Sequence, residues 1–273
     1  ADTLGVPYDS IEVRHGDTAE GPAIGYGTYG SRSLSVGGMA VHASCTKIVE
    51  KAHRIAAHML EASVDDVVFD QGRFHVRGNP GSAKSIGEVA FAAYGGSLPP
   101  GVEHGLEAIS YFDPPNWVWP FGTHVCEVEL DPATGGVDLK QYVAVDDCGT
   151  VINPLVVEGQ LHGGIAQGIA QALFEEVAYD EENGQLMTGS LVDYLVPTAN
   201  ELPTPRLDRT ITPSPTNPLG VKGIGEAGTI ASTAAVINAV VDALAPLGIR
   251  HVDMPATPDR LWKEIQAAQG AAR

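Results

Sequence analysis

The hydrophobic positions that follow Ile230 repeat at the spacing of an α-helix with one buried face. Successive apolar residues are four, three, four and three positions apart, which places them along one side of a helix. They are Ile230, Ala234, Ile237, Val241 and Leu244. A second pattern of this kind, from about residue 36 to 60, predicts a longer helix with one apolar side. Its members are Val41, Cys45, Ile48, Val49, Ala52, Ile55, Ala56 and Met59.

Shorter segments alternate between apolar and polar residues, as strands do. The predicted strands are 11–17, a hairpin over 67–76 that turns at Gln71-Gly72, a second hairpin formed by 125–130 and 137–145, and an extended segment over 186–196. The further helices that we predict are 85–94 with a Ser85 and Glu88 capping box, one that follows Asn153-Pro154, and 258–265. This mixture predicts an α+β fold with mixed sheets and packed helices. We expect two intimately packed parts, 1–120 and 121–273.

Composition limits the functional classes. The chain has 273 residues, of which 44% are hydrophobic, enough for a sizeable core. Its formal net charge of −18 repels phosphate backbones and anionic membranes, so nucleic-acid binding is not expected. No apolar run approaches the ~20 residues that cross a bilayer, and we expect a cytoplasmic protein with no membrane span. The scattered cysteines Cys45, Cys126 and Cys148 suit neither a disulfide framework nor a metal site, and we predict no metal ligand in this chain.

The segment that enters the helix at Ile230 combines glycines with one carboxylate. Residues 220–226, which we call the glutamate loop, end in Glu226, where free backbone N–H groups of a helix N-terminus favour an ionised carboxylate. The glycine spacing from Gly223 to Gly228 matches a dinucleotide fingerprint, but the prolines within 210–219 exclude the strand that this fingerprint needs. A base beside a cofactor cradle and a solvated capping glutamate in a turn both remain possible interpretations.

A second glycine-rich segment, residues 25–33, precedes the long predicted helix. Its glycines, hydroxyl groups and Arg32 are suited to bind an anion, and a plain surface loop is the alternative. The helix after Pro154 contains four glycines, each costing ~1 kcal/mol relative to alanine, which indicates close approach of a backbone or a ligand. These glycines are Gly159, Gly163, Gly164 and Gly168. Gln160 lies on the same helix and could offer its amide to a polar cofactor.

Three of these motifs, taken in order, resemble the C-terminal half of the molybdenum-binding subunit of the xanthine dehydrogenase family. They are the glycine-rich segment 25–33, the Gly-Gln-x-x-Gly of 159–163 and the Gly-Val-Lys-Gly-Ile-Gly-Glu of 220–226. The amino-acid sequences of 27–33 and of 225–229 are most similar to those of the aerobic carbon monoxide dehydrogenase branch of this family. The resemblance covers essentially the whole chain and implies the molybdopterin-binding half of a molybdenum hydroxylase large subunit.

The resemblance implies a molybdopterin cytosine dinucleotide that carries molybdenum. It implies that Glu226 is the catalytic general base toward a metal-bound hydroxide, which would attack an electrophilic carbon of a small substrate while molybdenum takes up two electrons, so that the added oxygen derives from water. The implied cofactor-binding residues are Gly27, Thr28, Tyr29, Gly30, Ser31, Arg32, Ser33, Gln160, Lys222, Gly223, Ile224 and Gly225. The alternatives are an aldehyde or N-heterocycle hydroxylase of the same family, and a non-catalytic cofactor-binding or assembly module. A shared cofactor requires that 27–33 and 222–226 meet in space.

The resemblance also implies partners. The family's large subunit is longer than this chain, so we expect the remaining N-terminal half, an iron–sulfur subunit with [2Fe–2S] clusters and an FAD subunit, assembled as a dimer of heterotrimers. Copper is possible, but none of the three cysteines matches the family's copper-ligating loop. The aromatic segment 111–121, with two of the three tryptophans among prolines, is expected to be irregular. It could form the wall of a pocket or a contact surface for a partner chain, and we favour the contact surface.

Overall fold

The computed structural model describes residues 1–19, 25–96 and 98–271. The chain forms two compact units. The first contains Ala1–Thr28 and Val36–Pro114, and the second contains Tyr29–Ser35 and Pro115–Arg273. Part of the glycine-rich segment therefore belongs to the second unit, which also contains the glutamate loop.

The first unit combines two helices with a three-stranded antiparallel sheet. Its elements are α1 (Met39–Met59), β1 (Val67–Asp70), β2 (Arg73–Val76), β3 (Asn79–Ser85) and α2 (Ile86–Gly95), with short 3-10 turns at Tyr8–Ser10 and Val64–Asp66. A π-helical stretch, Ser33–Gly38, leads into α1. Ile55, Phe74 and Val89 are fully buried between the helices and the sheet. Val41, which the periodicity placed on the apolar side of α1, is exposed, because the buried face is confined largely to the second half of the helix.

Two local predictions in this unit are confirmed. Gln71 and Gly72 both have positive φ, of 43° and 75°, which is the geometry of a tight two-residue turn that follows the twist of the paired strands. The Ser85 hydroxyl accepts the Glu88 amide at 3.2 Å, and the Glu88 carboxylate accepts the Ser85 amide at 2.8 Å. This capping box starts α2 where the sequence predicts it.

The second unit is built on a three-stranded sheet and three helices. Its elements are β4 (Phe121–Asp131), β5 (Gly136–Asp147), α3 (Pro154–Leu173), β6 (Arg206–Thr210), α4 (Ala227–Leu244), a 3-10 turn (Ala245–Leu247) and α5 (Pro258–Ala271). β4 and β5 form the predicted hairpin, and β6 adds parallel to β5. Tyr142, Ile165 and Val236 are among the fully buried side chains of its core, and α5 contributes Leu261 and Ile265.

Glycines let α3 and α4 touch through their main chains. A Cβ on Gly164 would lie 3.0 Å from the Gly228 Cα, and one on Gly228 would lie 2.9 Å from the Leu161 carbonyl oxygen. A Cβ on Gly168 would overlap the Ser232 hydroxyl. Two of the four glycines of α3 are therefore explained by close approach of another backbone.

The predicted buried face of α4 is wrong in its first half. Ile230, placed on that face by its spacing, is 71% exposed, whereas Ser232 and Val236 are fully buried. The reason is the close contact with α3, which selects the small residues Gly228 and Ser232 and so rotates the buried stripe away from Ile230. The segment Ala227–Leu247 is long and apolar enough to cross a membrane by composition, but α4 packs against α3 and β4 in the core of the unit.

Two predicted strands do not form. Residues 11–17 have no regular structure, and Val13 is 78% exposed. In 186–196, only Leu186 makes an isolated bridge, to Tyr179, and the Ser190 carbonyl accepts the Tyr194 amide in a turn. Alternation alone cannot form a strand, because a strand also needs a partner that satisfies its backbone groups.

We predict that Gly168→Ala lowers the free energy of unfolding by about 1–3 kcal/mol, because the added methyl group overpacks the contact between α3 and α4. Gly163→Ala is the matched control, since it lies on the same helix with no atom within 4 Å of its Cβ direction. The control should be neutral or gain up to ~1 kcal/mol. Urea unfolding of the 273-residue chain measures both, and equal stability of the two variants would contradict the packing described.

Candidate active site

The glutamate loop is fixed by hydrogen bonds along its first residues. The Asn217 side chain donates to the Val221 carbonyl at 2.9 Å and accepts the Val221 amide at 3.0 Å. The Lys222 amide donates to the Cys148 carbonyl at 2.8 Å. Gly220 has a φ of 67°, which glycine adopts without strain. The start of the loop is therefore joined to the end of β5 and cannot move independently of the sheet.

A buried ion pair adds to this anchor. The Lys222 ammonium lies 3.0 Å from the Asp147 carboxylate, and both side chains are almost completely buried. Asp147 also accepts the Gly149 amide and the Thr210 hydroxyl, each at 2.9 Å. Burial alone would raise the pKa of Asp147, but the hydrogen bonds from Gly149, Lys222 and the nearby threonines outweigh it and lower the pKa to about 2.

This arrangement gives Lys222 a structural partner. Its ammonium also lies 4.6 Å from the centre of the Phe121 ring, so its charge is already balanced inside the fold. The ion pair could not be predicted from the sequence, because Asp147 and Lys222 lie 75 positions apart. The local signal was a carboxylate at the end of β5, which does not by itself identify its partner.

Three separate segments meet at Gly223 and Gly225. A Cβ on Gly223 would overlap the Ser31 carbonyl oxygen, so the two main chains are in direct contact. A Cβ on Gly225 would lie 3.3 Å from the Ser31 hydroxyl and 3.4 Å from the Gln160 amide nitrogen. The expected meeting of the two glycine-rich loops is thus confirmed at Ser31, and α3 joins them through Gln160. The structure assigns Gly27 and Thr28 to the first unit.

Glu226 stands at the N-terminus of α4. The Ser31 hydroxyl donates to Glu226 Oε2 at 2.7 Å and accepts the Glu226 amide at 3.0 Å. The Glu226 side chain makes no capping hydrogen bond to α4, which counts against the interpretation as a capping glutamate. Within the described part of the chain, Oε1 has no hydrogen-bond partner. The carboxylate of this exposed residue is therefore held through one oxygen, while the other accepts no hydrogen bond from the described residues.

Arg32 is oriented by the neighbouring Tyr29. Its guanidinium carbon lies 4.8 Å from the centre of the Tyr29 ring, and Nη1 donates to the Tyr29 hydroxyl at 2.9 Å. In the residues that the structure describes, no other hydrogen bond involves this guanidinium, so most of its donors remain free for a planar anion. The contact with Tyr29 restricts the positions that the guanidinium can adopt.

The residues present fit a cofactor with a pyrophosphate. Gly30 has a φ of 58° and no atom within 4 Å of its Cβ direction, so its main chain is open to close approach. Arg32 and the exposed Gln160 add donors, and the only carboxylate of the glutamate loop, Glu226, is held by Ser31. Exposed amides, a fixed guanidinium and a carboxamide form a donor set that suits phosphate oxygens and a heterocycle.

Comparisons with known proteins identify the family of the chain. The family model of the molybdopterin cofactor-binding domain matches residues 1–203. The carbon monoxide dehydrogenase large chain of Hydrogenophaga pseudoflava is 44% identical over 97% of this chain and 33% of its own length. The nicotine 6-hydroxylase large subunit of Paenarthrobacter nicotinovorans is 43% identical over 99% of this chain and 33% of its own length.

A solved structure, reconstituted CO dehydrogenase from Oligotropha carboxidovorans, superposes with a TM-score of 0.92 at 43% identity, covering 100% of this chain and 33% of that one. The predicted α+β fold is confirmed by this match. The chain spans about a third of the length of the relatives it matches. Because the family model covers most of the sequence and the solved structure shares its fold, the chain belongs to the molybdopterin cofactor-binding domain family.

Proposed function

We propose that this chain is the C-terminal, cofactor-binding part of the large subunit of a molybdenum hydroxylase, with Glu226 as its general base. The observation that carries the proposal is the Glu226 carboxylate, fixed through Oε2 by Ser31 and open at Oε1. A pyrophosphate-binding loop without chemistry would gain nothing from a carboxylate in this position, because an uncompensated negative charge beside an anion is unfavourable. A non-catalytic module is therefore the weaker alternative.

The cofactor in this proposal is a molybdopterin cytosine dinucleotide. The family model supports a molybdopterin cofactor, and the two glycine-rich loops supply the amides that a pyrophosphate needs. When bound, its molybdenum would take up the two electrons removed from the substrate. The proposed contacts are Gly27 to Ser33, the Gln160 amide, and the main chain of Lys222, Gly223, Ile224 and Gly225.

The chain's own chemistry lies in one proton transfer. An oxygen nucleophile derived from water must lose a proton as it attacks an electrophilic carbon, and Glu226 Oε1 would accept that proton. Gln160, beside Gly225, would orient the cofactor through its amide.

The nature of the substrate is a separate part of the proposal. Oxidation like that of the aerobic carbon monoxide dehydrogenases is our first candidate, because a relative of that name is 44% identical. A hydroxylase of an N-heterocycle or an aldehyde is the second, because the nicotine 6-hydroxylase subunit is 43% identical over almost the same residues. A copper site would need a ligand from outside this chain.

The proposed assembly follows the family. It comprises the rest of the large subunit, an iron–sulfur subunit and an FAD subunit, as a cytoplasmic dimer of heterotrimers through which electrons leave the molybdenum. Trp117 and Trp119 support a contact surface here: they are 74% and 71% exposed, and their rings lie 6.4 Å apart in an irregular segment. Exposed aromatic groups of this size are typical of surfaces that contact another protein.

We predict that Glu226→Gln keeps the cofactor and loses the reaction. Glutamine preserves the size and an acceptor oxygen for Ser31 but removes the proton acceptor. Molybdenum content should stay near that of the unmodified protein, while turnover falls by about 10²–10⁴-fold. The measurement is substrate-dependent reduction of the molybdenum centre at matched metal loading. Equal rates in the two proteins would contradict the assignment of Glu226 as base.

We also predict that the purified holoprotein contains molybdenum and cytidine nucleotide in equal amounts, and that Arg32→Met reduces both. Loss of charge-assisted hydrogen bonds to a phosphate should weaken retention about 10–100-fold. Arg260→Met is the control, because it removes a guanidinium that already pairs with Glu176 and that belongs to neither glycine-rich loop. Metal analysis and nucleotide release by acid measure the contents. Molybdenum without cytidine would reject the dinucleotide, and full content in Arg32→Met would reject the anion role of Arg32.

A further inference from the structure

We infer that Ser31 is a positioning residue that aims the Glu226 carboxylate for proton transfer, with Oε1 as the accepting atom. This inference rests on the proposed role of Glu226 as base. It gives Ser31 a second task beside its proposed place in the cofactor cradle, and one that its hydroxyl rather than its main chain performs.

The contact is reciprocal. A single hydroxyl accepts the Glu226 amide at 3.0 Å and donates its proton to Glu226 Oε2 at 2.7 Å. The two bonds connect the main chain and the far end of the same side chain, so they restrict the rotatable bonds between them. Because an ionised carboxylate only accepts hydrogen bonds, the direction of the bond to Oε2 is fixed.

Ser31 itself is rigidly placed. Its φ of 56° lies in the left-handed region, which serine seldom adopts, and strain of this kind persists where the surrounding structure enforces it. The enforcing contact is the main chain of Gly223, which lies directly against the Ser31 carbonyl. The short Ser31 side chain therefore extends from a backbone that is held in place. Its hydroxyl restrains the longer Glu226 side chain, which would otherwise be free to rotate.

The two oxygens of the Glu226 carboxylate therefore have different roles. Oε2 is occupied by Ser31, and Oε1 is open in the part of the chain that the structure describes. A carboxylate free to rotate would present either oxygen at variable angles, whereas this one presents Oε1 in a single orientation. Orientation of a reacting group affects the rate of the chemical step more than substrate affinity.

The test removes the hydroxyl without straining the backbone. Ser31→Gly accepts the positive φ, so the loop can keep its path. Turnover at saturating substrate, per bound molybdenum, should fall about 10–100-fold, with KM and molybdenum content little changed. Ser31→Cys, a weaker donor of similar size, should retain an intermediate rate. Ser190→Gly is the control, because it deletes a similar hydrogen bond to a carboxylate, the one from Ser190 to Asp193 at 2.9 Å. This variant should leave turnover, KM and molybdenum content unchanged.

A second comparison shows whether Ser31 acts through Glu226. In a Glu226→Gln background, Ser31→Gly should cost no further rate, since the group it positions is gone. An equal loss in both backgrounds, an unchanged rate in Ser31→Gly, or a loss of molybdenum in proportion to rate would each overturn the inference.

Amide hydrogen exchange of the segment that contains Glu226 should accelerate in Ser31→Gly before cofactor is added. That readout is independent of turnover, so it separates failure of this contact from failure of the proposed function, which Glu226→Gln alone would reveal.

Discussion

Direct contact between main chains, made possible by glycine, is the constraint on which the candidate site depends. Gly164 and Gly228 bring α3 and α4 together closely enough that a methyl group on either would collide with the other helix. This contact fixes where α4 begins, and therefore where Glu226 stands. Gly223, in the glutamate loop, makes a similar close main-chain contact with Ser31. The side chains of the candidate site are held in place because the backbones that carry them are in direct contact with neighbouring backbones.

The buried pair of Asp147 and Lys222 adds a second, electrostatic restraint on the same loop. Burying two charges is costly, and such a pair is weak grounds for claiming stability by itself. Here the Asp147 carboxylate is also satisfied by the Gly149 amide and the Thr210 hydroxyl, so few of its acceptor sites are left unmet. The pair serves geometry, since it joins the end of β5 to the glutamate loop.

Local structure was predictable from the sequence where the determining residues are neighbours. The Gln71-Gly72 turn, the capping box at Ser85 and the start of α3 at Asn153 each depend on a few adjacent residues, and each is found as predicted. The buried face of α4 was not predictable, because small residues that permit close packing carry little hydrophobic signal. The contact between Ser31 and Glu226 joins residues 195 positions apart. Family resemblance placed both in one site, but only coordinates reveal which atoms meet.

If the proposed role of Glu226 is right, its free carboxylate oxygen faces a molybdenum cofactor. Anomalous diffraction at the molybdenum absorption edge, measured on crystals of the assembled holoprotein, locates the metal relative to this side chain. We expect a single molybdenum peak on the Oε1 side of Glu226, with Oε2 still bonded to the Ser31 hydroxyl. A molybdenum peak remote from both glycine-rich loops, or a Glu226 carboxylate turned away from it while Ser31 holds a different partner, would rule out this role.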